Sequence, residues 1–116
     1  MGRPVVGIYA SAAPTDWGPW RGRPSAVAPA ALGAAVRRAG AIVVLLAPGE
    51  DPGLSGLLSM LDALIVLDDG EATTAVQAAA RDRGVRMLVL DAARITPDST
   101  VDDCARELAG LGLAVR

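Results

Sequence analysis

Histidine, lysine, asparagine and phenylalanine are absent from this chain, and Cys104 is its one cysteine. Without histidine the usual zinc and haem ligand sets are gone, and a lone thiol excludes an internal disulfide or a multi-cysteine metal site. A phosphate loop of the G-x-x-x-x-G-K-[ST] type needs the missing lysine, and Gly18, Gly22 and Gly33 form no G-x-G-x-x-G. Neither a metal nor a nucleotide cofactor is expected. Every basic residue is an arginine, and these lie thinly spread without the stripe that a phosphate backbone requires, so nucleic acid is not an expected partner. The arginine-only bias is that of a high-GC bacterial genome. Gly, Pro or charge interrupts each apolar run before transmembrane length, and the first apolar segment is too short for a signal-peptide core. The expected location is cytoplasmic, with no membrane association.

What remains is aliphatic. Of 116 residues, 52% are hydrophobic, supplied by Ala, Val and Leu, and a chain of this length buries about two-thirds of its unfolded surface as one domain. Residues 1–116 are therefore read as a single domain. Five apolar runs, 4–9, 41–46, 63–67, 86–90 and 113–115, are continuous rather than alternating, as parallel strands covered on both faces require. Helical patterns lie between them. The first runs from Pro24 or Ser25 to Ala39, with Ser25 as a cap, Val27 in its apolar stripe and Gly40 as its stop; the others cover 52–61, 71–83 and 100–108. The expected fold is α/β, a three-layer, flavodoxin-like doubly wound parallel sheet of about five strands in the order 2-1-3-4-5. Residues 10–23 read as one long irregular loop, with Gly18-Pro19 a turn between Trp17 and Trp20.

Several of these segments carry a resemblance. Arg3-Pro4-Val5-Val6-Gly7-Ile8, Trp17-Gly18-Pro19-Trp20, Ala34-Ala35-Val36-Arg37-Arg38-Ala39-Gly40 and Val43-Val44-Leu45-Leu46 resemble the start of class I glutamine amidotransferase-like hydrolases. The nearest branch is the γ-glutamyl-γ-aminobutyrate hydrolases (peptidase C26). Leu61 to Gly70 looks like that family's third strand and its oxyanion-hole turn, so the resemblance covers roughly the first 70 residues. It implies a nucleophile elbow of the type Gly-Ile-Cys-Arg-Gly after the fourth strand, where this chain has Asp91-Ala92-Ala93-Arg94. It also implies His and Glu partners in a C-terminal region missing here, so the domain reads as a truncated relative. A cysteine nucleophile needs a base and an exposed turn; with no histidine, and with Cys104 inside the last expected helix, glutaminase and γ-glutamyl hydrolase activity are both excluded.

Ligands of open α/β sheets bind beyond the carboxyl ends of the strands. That rule gathers Tyr9, Ser11, Trp17, Trp20 and Arg21 after the first strand, Asp68 and Asp69 after the third, and Asp91 and Arg94 after the fourth. Asp68, Asp69 and Asp91 form either a carboxylate cluster, able to do acid–base chemistry or else to hold Mg²⁺, or ordinary turn and helix-cap residues. Trp17 and Trp20 either present their rings to a flat or apolar ligand, with Arg21 or Arg23 for a carboxylate, or fold back to cap the sheet edge or an oligomer contact. A response-regulator pocket also gathers aspartates, but its pattern begins after strand one and needs a lysine. Two functions stay open. One is a non-catalytic pseudoenzyme that binds a small molecule or partner. The other is a small repurposed enzyme, of secondary metabolism, using Asp91 and Asp68 on a substrate held by Trp17 and Trp20. A homodimer is expected, because losing the family's C-terminal half would bare one side of the sheet.

Overall fold

A computed structural model describes residues 3–47, 54–68 and 73–91. The chain opens with β1 (Val5–Tyr9), then β2 (Ser11–Trp17) and β3 (Trp20–Val27), α1 (Ala30–Arg38) and β4 (Ile42–Leu46). It continues with α2 (Leu54–Leu58), β5 (Ala63–Asp68), α3 (Thr74–Asp82) and β6 (Arg86–Asp91). Strands β4, β1, β5 and β6 form one parallel sheet in that order, while β2 and β3 pair as a separate antiparallel hairpin. The fold is mixed α/β. Counting only the parallel strands, their order is 2-1-3-4, as expected for the first four; the expected strand at 113–115 and helix at 100–108, with Cys104, lie outside the described residues.

The continuous apolar runs become strands because each has an apolar layer on both faces. On one side Val6, Ile8, Ala63, Ile65 and Leu67 pack with Leu32, Ala35 and Val36 of α1. On the other, Tyr9, Leu64 and Val66 pack with Leu58 of α2 and Val76 and Ala80 of α3. Alternate residues of one strand thus serve opposite layers. Gly7 belongs to the second layer: a Cβ there would stand 2.7 Å from Leu61 Cδ1, so glycine lets that leucine close over β1. At the amino edge Asp62 ties β1 to β5, its Oδ2 accepting from Val5 N–H at 2.7 Å while its own N–H donates to Val5 O at 2.8 Å. Among the described residues, no helix is long and apolar enough to cross a membrane.

Two expectations are corrected. Residues 10–23 are not irregular: Ser11 to Trp17 and Trp20 to Val27 form a two-stranded ribbon. In consequence α1 starts at Ala30, not at Pro24 or Ser25. Pro29 sits extended at its N-cap with φ −61° and ψ 131°, and a proline also pushes the residue before it away from helical conformation. Ser25 caps nothing; its hydroxyl donates to Arg23 O at 2.9 Å within β3. Val27 lies exposed on β3 rather than in a helical stripe. Pro14 and Pro24 are compatible with this ribbon, because they face each other and each strand of a two-stranded sheet has a free edge that needs no N–H. The stop at Gly40 is as expected, with φ 87°.

Candidate functional site

The hairpin grows from the carboxyl end of β1, and its tip is fixed by local chemistry. Trp17 and Trp20 are register partners, so Gly18-Pro19 is a two-residue turn. Gly18 has φ +55°, and proline after it cannot take a positive φ, which leaves the II′ geometry that suits the twist of paired strands. Just below, the register shifts so that Arg21 and Gly22 lie across from Asp16. Gly22, at φ +59°, donates its N–H to Asp16 Oδ1 at 2.6 Å. Arg21 Nη1 donates to Gly18 O at 2.7 Å and Trp20 O at 3.0 Å, so this guanidinium braces the turn.

Arg23, two residues on, opposes Thr15 and does something different. Its guanidinium carbon stands 5.6 Å from the centroid of the Trp20 ring, within range of a cation–π contact. Trp17 is 75% exposed and Trp20 51%. These side chains wall an open groove of about 750 Å³ with Thr15, Val27 and Leu45. Leu45 belongs to β4, an edge of the parallel sheet, so the groove lies on the β4 flank.

The expected site residues therefore separate into groups. Trp17 and Trp20 come together on the hairpin, with Arg23 rather than Arg21 beside them in the groove. Tyr9 is a core residue, 4% exposed, among Leu46, Leu64 and Val66. Ser11 begins β2, and its enclosed hydroxyl oxygen has no hydrogen-bond partner among the described residues. Asp68 and Asp91 are the last residues of β5 and β6 and are register partners, two strands and more from β4. Neighbouring strands run about 4.8 Å apart, so these two backbone positions are immediate neighbours. Asp69 and Arg94 lie outside the described residues. Arg23, Thr15 and Leu45 were not singled out as a set from the sequence, because Ser11 to Trp17 carry no apolar alternation that would group Thr15 with Trp17.

Comparison with protein-family models, with curated proteins and with solved structures finds no match for this chain.

Proposed function

We propose that this chain is a non-catalytic binding protein of class I amidotransferase-like design, in which the hairpin groove takes a planar anionic small molecule. The parallel order 2-1-3-4 and the helices on both faces support the flavodoxin-like part of this reading, in which a fifth strand completes the sheet. The observation that carries the function is Arg23 held over Trp20 in a groove that Trp17 also walls. Indole faces receive a flat apolar ring, and a guanidinium already ordered against one of them meets a carboxylate at reduced entropic cost. With no histidine in the chain, a cysteine–histidine hydrolase mechanism has no base.

Calorimetric titration tests this with benzoate, 2-naphthoate and indole-3-carboxylate, each beside its neutral amide. The expected result is that at least one acid binds about tenfold more tightly than its amide, a difference of roughly 1.4 kcal/mol, and that Arg23→Ala abolishes the preference. Equal binding of acids and amides, or no binding by any acid, refutes the reading.

The register of Asp68 against Asp91 favours a second reading, a repurposed acid–base enzyme that uses both residues. If Asp91 serves chemistry rather than folding, Asp91→Ala at pH 7 should leave the urea midpoint unchanged. A loss of about 1 kcal/mol would instead mark Asp91 as the cap of a following helix.

A further inference from the structure

The groove is open to solvent. Sites for small molecules bury most of their ligand's surface, yet Trp17 remains 75% exposed and Trp20 51%. Beside them β4 ends the parallel sheet, with β1 on one side and, among the described residues, no strand on the other. Its sequence, Ile-Val-Val-Leu-Leu, contains no charge, proline or glycine, the devices that normally keep an exposed edge from pairing. Ile42 is 46% exposed, Leu45 54% and Val27 38%.

From this we infer that a second copy of the chain pairs with β4, edge to edge and antiparallel, and that this pairing closes the groove. An edge strand offers a row of N–H and C=O groups that template pairing with another strand, and a two-fold axis lets the same strand supply both sides. Trp17, Trp20, Val27, Ile42 and Leu45 together present roughly 500 Å² of apolar side chain, so two copies hide about 1,000 Å², the size at which specific interfaces begin. Direction matters too. Leu45 stands near the carboxyl end of β4 and Ile42 at its amino end, so antiparallel pairing sets the groove end of one copy against the amino end of β4 in the other. A register centred on Val44 puts Leu45 beside Val43 of the second copy and Ile42 beside its Leu46, keeping paired residues on one face. The pairing stands on the edge and its area; the closing of the groove rests on the ligand reading above.

Sedimentation equilibrium of the full chain, with and without Ile42→Lys, is the test. The wild type is expected at twice the chain mass at micromolar concentration. Ile42→Lys places a charge on the seam at a half-exposed position outside the core, and the expected result is a folded protein at the mass of one chain. Its affinity for the best acid of the panel should fall at least tenfold. A wild type at the mass of one chain overturns the pairing, and needs no variant to do so. A variant that keeps the double mass places the contact elsewhere and overturns it as well. A single-chain variant that binds the acid as tightly as wild type overturns the closing of the groove. A dimer that binds no acid refutes the ligand reading and leaves the pairing standing.

Discussion

Strand β5 and the β2–β3 hairpin are both extended chain, yet different forces hold them. In β5, Ala63, Leu64, Ile65 and Val66 are each 0% exposed, with an apolar layer on either side. In the hairpin, most residues of β3 are exposed, and the shape comes from a glycine turn, an aspartate accepting a backbone N–H, and an arginine donating to two turn carbonyls. The first region keeps its conformation because burial leaves no alternative. The second keeps it through a few polar contacts, which frees its largest side chains to face outward. The residues proposed for recognition therefore stand where they contribute least to folding.

The sharpest way to break that contrast is at Ile65. Truncating a fully buried isoleucine removes its transfer free energy and leaves a cavity, and Ile65 lies on the layer shared with α1. Ile65→Ala should cost about 3 kcal/mol, a large share of the stability of a domain this size. Urea denaturation followed by far-UV circular dichroism would measure it. A loss under 1 kcal/mol would mean the sheet is not the stable half of the molecule.

How much of this was legible beforehand follows from the same physics. The parallel strands could be read because burial on both faces forces continuous apolar runs such as Val5-Val6-Gly7-Ile8 and Leu64-Ile65-Val66-Leu67. Gly40 and Gly84 could be read because both take positive φ at helix ends. The hairpin could not, because its strands are neither continuously apolar nor free of proline; Ala12, Ala13 and Pro14 look like loop residues, and Ser25 to Val27 fit a helical stripe just as well. What decides for the ribbon is the cooperation of Gly18, Asp16 and Arg21 across six residues, which no single periodicity shows. The choice of Arg23 over Arg21 depends on that register too, since the shift after Thr15 gives one arginine to the turn and the other to Trp20. The neighbouring positions of Asp68 and Asp91 could be anticipated only as far as both end parallel strands.

Gly18→Ala is the intermediate case, because it strains the hairpin without touching the core. A Cβ at Gly18 meets nothing within 4 Å, so the whole effect is conformational. An L-residue at φ +55° costs roughly 1–2 kcal/mol, and a ribbon with little buried area has little to offset it. The turn should open locally, bringing faster amide exchange at Gly22 and Trp20, while the amides of β5 stay protected to the global limit. Equal acceleration in both regions would show that the hairpin and the sheet fold as one unit.

The smallest effect on stability is expected at Trp17, although its ring walls the groove. With three-quarters of its surface exposed within one chain, the ring contributes little to that chain's own fold, and Trp17→Ala should change the unfolding free energy by less than about 0.5 kcal/mol. The measurement belongs in the Ile42→Lys background, so that no second copy bears on the ring and dimer stability is not mistaken for folding stability. In the chain without Ile42→Lys, the same substitution should weaken the dimer and reduce acid binding, because Trp17 walls the groove and supplies part of the seam. A loss of more than about 1 kcal/mol in the single chain would mean that Trp17 folds back onto its own domain. The hairpin would then be held by burial after all, and the distinction between the two regions would be one of degree.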